Sequence, residues 1–128
     1  MAEKPLCAIL ILEDEMISAE SLRLDLEDHG YRVSGVARNR SEALACARLE
    51  TPALALVDIR LANGDNGLDV ADELRRGYGI PSVFVSASGD EDVRARANAV
   101  GGLGFVHKPY LVAPLIETIR TALGQMAK

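Results

Sequence analysis

Side chains able to do chemistry cluster at a few points of this 128-residue sequence: Glu13-Asp14-Glu15, Asp58, Ser86-Ala87-Ser88 and Lys108-Pro109. Each cluster closes a short apolar run. Carboxylates gathered in one place repel one another and raise one another's pKa unless a cation intervenes. An all-oxygen donor set of this kind suits Mg2+, which keeps several waters and binds through few carboxylates. A hydroxyl and an ammonium beside such a metal would hold phosphoryl oxygens. The same points offer no His or Cys cluster to suggest zinc.

Taken singly, each cluster has a plainer reading. Acids after a strand favour the positive end of the next helix. Asp58 suits the start of a turn, Ser86 a strand-end hydroxyl, and Lys108 a solvated position before a chain reversal. The chemistry depends on whether the chain brings these points together, and that is a question about its elements.

Continuous apolar runs at Leu6–Leu12, Ala53–Val57 and Pro81–Val85, with shorter ones at Tyr31–Ala37 and Leu103–His107, read as strands buried on both faces. Helical periodicity separates them. The first helix is expected over Met16–Asp28, with His29-Gly30 as its C-terminal signal. A second runs from an N-cap at Ser41 to Leu49, before Pro52. The third covers Leu68–Arg76, the fourth starts at Asp90 or Asp92 and reaches Val100, and the fifth starts near Ala113 and reaches about Met126. Pro114 suits the first position of the fifth helix. Such alternation predicts an α/β fold, a parallel sheet with helices on both faces. Five units suit an open doubly wound sheet, in which ligands bind beyond the carboxyl ends of the strands.

Composition narrows the function. Apolar residues make up 48% and charged residues 26%, as in ordinary globular domains, so one domain with one core is expected over residues 1–128, its core at about 6–126. A net charge of −5 argues against non-specific binding to nucleic acid or anionic membrane. With 4% aromatics and no Trp, base-stacking platforms are disfavoured. No apolar run approaches the roughly 20 residues of a membrane helix, and the acid-bearing start is a poor signal peptide, so a cytoplasmic location is expected. Cys7 and Cys46 read as buried small hydrophobes in a reducing compartment.

ILILEDE at the first strand, LALVDIRL at the third, VFVSAS at the fourth and GFVHKPY at the fifth together resemble the receiver domain of two-component response regulators. The resemblance covers essentially the whole chain. It implies a flavodoxin-like (βα)5 fold with strand order 2-1-3-4-5, which sets Asp14 and Asp58 facing each other across the point where strand order reverses.

Carried over by position, the resemblance makes Asp58 the phosphate acceptor. Mg2+ would be held by Asp14 directly, by Glu13 through water, by Asp58, and by the backbone carbonyl of Arg60. Ser86 and Lys108 would bind the phosphoryl group, and Phe105 would be the aromatic switch. Arg60 and Ser88 would tune the lifetime of the mark, and the Lys108–Pro109 bond would be cis. The donor would be a sensor histidine kinase or a histidine phosphotransfer protein. Output would pass to a downstream protein target, or to self-association, through the face of the fourth helix, fifth strand and fifth helix. With no output domain after the fifth helix, output would be binding alone.

The chain departs from the family pattern in the loop after the third strand. Ala62 stands where many receivers have proline, and the closing glycine, Gly67, comes one residue late. Ser86 replaces the commoner threonine and Phe105 the commoner tyrosine. The altered loop supports an alternative, a receiver-like binding module that signals without phosphorylation. A third reading, an aspartyl phosphatase, expects a second acid two residues after Asp58, where this chain has Arg60.

Overall fold

The computed structural model describes residues 6–87 and 91–126. Along them run β1 (Leu6–Leu12), α1 (Met16–Asp28), β2 (Tyr31–Ala37), α2 (Arg40–Leu49), β3 (Leu54–Val57), α3 (Gly67–Tyr78), β4 (Ser82–Ser86), α4 (Glu91–Ala99), β5 (Gly102–His107) and α5 (Val112–Met126). The strands form one parallel sheet in the order β2-β1-β3-β4-β5. This is the expected doubly wound arrangement.

Side chains alternate across a strand, and here both faces are covered. Leu10, Leu12, Ala55, Val57 and Phe84 pack with Leu44 of α2, Leu74 of α3 and Ala97 of α4. Ile9, Ile11, Leu54, Leu56 and Val83 turn the other way, onto Leu22 and Leu26 of α1 and Leu115 and Ile119 of α5. Burial on both sides is why β1, β3 and β4 read as unbroken apolar runs.

Local details differ from expectation. Asn39, not Ser41, caps α2, its side chain accepting from the Glu42 N–H at 3.0 Å. Only from Asn39 does a capping side chain stand three residues before that donor; Ser41 lies inside the first turn and is exposed. Helix α3 continues past Arg76 to Tyr78 because the left-handed residue that ends it is Gly79, at φ 68°. Pro114 occupies the third helical position rather than the first, still within the turn that lacks internal N–H partners. Cys7 is exposed, and Cys46 is half-buried against Gly35.

Between β3 and α3 the chain makes a 3-10 turn, Ala62–Gly64. No expectation covered it. An antiparallel bridge between Arg60 and Asn66 closes the loop at its base, and the Asn66 side chain caps α3 by accepting from the Leu68 N–H at 2.7 Å.

Candidate functional site

Backbone ladders that run one residue beyond the strands position the site. The Asp58 N–H donates to the Leu12 carbonyl at 2.9 Å, and the Glu13 N–H donates to the Ala37 carbonyl at 2.9 Å. With Leu12 opposite Val57, the next residues, Glu13 and Asp58, leave β1 and β3 side by side. On the far side of the sheet the Lys108 N–H donates to the Ser86 carbonyl at 3.0 Å. The rim expected from sequence is therefore one continuous edge.

Glu13, Asp14 and Asp58 each bring a carboxylate oxygen within 4.8 Å of the others. Glu13 is buried, Asp14 exposed, and Asp58 between the two. The Lys108 ammonium bridges the two less exposed acids, donating to Asp58 Oδ2 at 2.9 Å and to Glu13 Oε1. Backbone donors complete the set: the Arg60 N–H reaches Asp58 Oδ1 at 3.2 Å, and the Glu15 N–H reaches Glu13 Oε2 at 3.4 Å.

The electrostatics follow from this packing. Burial pushes the Glu13 carboxyl up to about 7; the Lys108 hydrogen bond opposes the rise and the Asp58 charge adds to it. Burial by itself would lower the Lys108 pKa, but hydrogen bonds to Glu13 and Asp58 hold it above the ordinary lysine value. Such a carboxylate-rich, all-oxygen cluster, open to solvent at Asp14, has the donor chemistry of a Mg2+ site.

Ser86 ends β4, buried at 2% exposure. Phe105 lies on β5 opposite Phe84 and is half-buried, with the Arg94 guanidinium 5.0 Å from its ring centroid. The Lys108–Pro109 peptide is cis. Arg60 is exposed beside Asp58; Ser88 lies outside the described residues. A groove of about 620 Å3 opens next to Lys108, between Ile17, Ser21 and Asp25 of α1 and, on the other side, Tyr110 before α5 and Val112 at its start.

The geometry brings together Glu13, Asp14, Asp58 and Lys108, with Ser86 joined to Lys108 through the backbone. Sequence reasoning missed Asp65 and Asn66, which shape the loop behind Asp58. Asn66 carried a signal, an Asn directly before a helical period, the same one overlooked at Asn39; Asp65 carried none.

The sequence profile of the response regulator receiver domain matches residues 9–120. This chain belongs to the response regulator receiver family. It is 31% identical over 117 residues to the transcriptional regulatory protein PdtaR of Mycobacterium tuberculosis, covering 91% of this chain and 57% of that protein. It is 42% identical over 80 residues to the phyllosphere-induced regulator PhyR of Methylorubrum extorquens, covering 62% of this chain and 30% of PhyR. Among solved structures, the signal receiver domain of a modulated diguanylate cyclase from Desulfovibrio desulfuricans superposes with a TM-score of 0.85 at 37% identity, covering 94% of this chain and 95% of that one. The chain thus spans about half or less of the curated relatives it matches. Receivers are signalling modules rather than enzymes in the usual sense. Among the described residues no helix is long and apolar enough to cross a membrane.

Proposed function

We propose that this receiver takes a phosphoryl group on Asp58 from a histidine kinase or a histidine phosphotransfer protein, with Mg2+ held by Glu13, Asp14, Asp58 and the Arg60 carbonyl. The observation that carries this reading is the cluster of carboxylates within 4.8 Å of one another, with the Lys108 ammonium on Asp58. An aspartate is ionised at neutral pH, its reference pKa being about 3.9, and needs no base to act as nucleophile. An Asp58 oxygen attacks phosphorus, the P–N bond to the donor imidazole breaks, and a mixed anhydride forms. When bound, Mg2+ would supply charge that offsets repulsion between the acids and the incoming phosphoryl oxygens.

Lys108 and Ser86 hold the phosphoryl oxygens of the product. The mark adds a charge of about −2, draws Ser86 toward it, and turns Phe105 inward on β5. The face of α4, β5 and α5 then repacks for a downstream protein or a second copy, as a population shift between two states. Arg60 and Ser88 set the lifetime of the mark, with little effect on whether it forms. Ile17, 81% exposed, lines the groove beside Lys108, and the exposed Met16 and Leu111 adjoin it in sequence. These give a protein donor apolar surface next to the acceptor.

The test is incubation with Mg2+ and acetyl phosphate followed by intact-mass measurement. Gain of one phosphoryl group, lost in Asp58→Asn, is the expected result. No gain in the native chain would overturn the reading in favour of a binding module independent of phosphorylation.

A further inference from the structure

The loop from Asp58 to Gly67 is closed on itself and then tied outward to a different helix. Internally, the Leu61 N–H donates to the Asp65 carbonyl at 3.2 Å, and the Gly67 N–H to the Ile59 carbonyl at 2.6 Å. Outwardly, the Ala62 N–H donates to the Arg38 carbonyl at 3.1 Å. The Asp65 carboxylate accepts from the Arg40 N–H at 2.9 Å.

That last bond has a physical basis on both sides. Arg40 is the first residue of α2, so its N–H has no partner within the helix, and the helix end carries partial positive charge. Asn39 satisfies the Glu42 N–H, and Asp65 satisfies this one. The Arg40 side chain adds a two-pronged pair to Glu73 of α3, at 2.7 and 2.8 Å, so α2 grips both the loop and the helix that follows it. Arg60, whose N–H already reaches Asp58 Oδ1, lies within the strapped segment.

We propose that Asp65 is a positioning residue: its bond to the start of α2 fixes the loop after β3, and so holds the Arg60 carbonyl where it completes the Mg2+ site. The inference rests on the phosphoacceptor reading. It assigns the extra loop residue a task, since the lengthened loop reaches α2 and is braced there.

The experiment measures Mg2+ affinity by titration calorimetry on the full chain, with amide hydrogen exchange of Leu61 and Gly67 as a second readout. Asp65→Ala should weaken Mg2+ about fivefold, the scale of one ordinary hydrogen bond, and speed exchange at both amides. Asp65→Asn keeps an accepting oxygen and should stay near the native affinity. Glu73→Ala removes the other tie to α2 but not the loop bond, and should also stay near it.

Arg40→Pro deletes the same bond from the donor side, at a first helical position that accepts proline after an extended Asn39 (φ −155°, ψ 178°). It should match Asp65→Ala, and it keeps the test open if that variant does not fold. Unchanged affinity in Asp65→Ala or Arg40→Pro would overturn the proposal. So would equal weakening in Asp65→Asn, which would mark a charge effect, or in Glu73→Ala, which would mark general loosening. Failure of the native chain to bind Mg2+ would instead overturn the phosphoacceptor reading itself.

Discussion

A methyl group added at Gly67 would stand 2.0 Å from the main-chain oxygen of Asp58. The first residue of α3 is pressed against the backbone of Asp58, so the start of that helix and the position of that carboxylate form one structural unit. The obstacle is backbone rather than the end of a flexible side chain, and it cannot move without moving the site.

Gly67→Ala should therefore destabilise the fold by about 3 kcal/mol, at the upper end of overpacking costs, and weaken Mg2+ binding as well. Urea denaturation with and without Mg2+ checks this. A loss below about 0.5 kcal/mol, within the range of an ordinary surface change, would mean the loop relaxes freely.

Glu13 sets a pH dependence whose sign can be worked out. Its folded pKa of about 7 lies above the ordinary value of 4.5, so between these values the folded state binds more protons than the unfolded chain. Stability in metal-free buffer should then fall as pH rises from 4.5 to 7, by on the order of 2 kcal/mol. Glu13→Gln should flatten that slope. Melting curves across this window are the measurement, and a flat native profile would contradict the assignment.

Removing the bridging cation has opposite effects on fold and metal. Lys108→Met leaves Glu13 and Asp58 without their shared ammonium, so metal-free stability should drop by roughly 2 kcal/mol. Mg2+ no longer meets a positive charge there, and should bind about tenfold more tightly. Calorimetry that finds weaker binding would show that the lysine orders the site more than it repels the ion.

Arg94 and Phe105 should show a pairwise coupling of about 0.5–1 kcal/mol in a double-mutant cycle of Arg94→Ala and Phe105→Leu, the range for an exposed cation–π contact. Chemical denaturation of the four proteins gives the number. A coupling near zero would mean the guanidinium merely lies over the ring.

Much of the fold was legible in the sequence because burial writes it there. Strands covered on both faces become runs such as Leu6–Leu12, and the residues that end those runs, Glu13, Asp58 and Lys108, meet on one rim as the sheet's topology requires. The less legible parts depend on contacts distant in sequence. Nothing near Asp65 announces that it will meet Arg40, and nothing near Arg94 announces the Phe105 ring. Ser41 looked like a cap by residue type, whereas Asn39 won by register. Cys7 read as buried from its strand, yet it lies near the start of β1, where cover is incomplete.

The ammonium of Lys108 acts as a tethered understudy. Without a cation between them the acids on this rim would repel one another, and their cluster would have to be rebuilt at every encounter. A cation tethered just past β5 keeps the stage set, so the arrangement persists between visits, and an ion of the kind proposed would find its ligands already assembled.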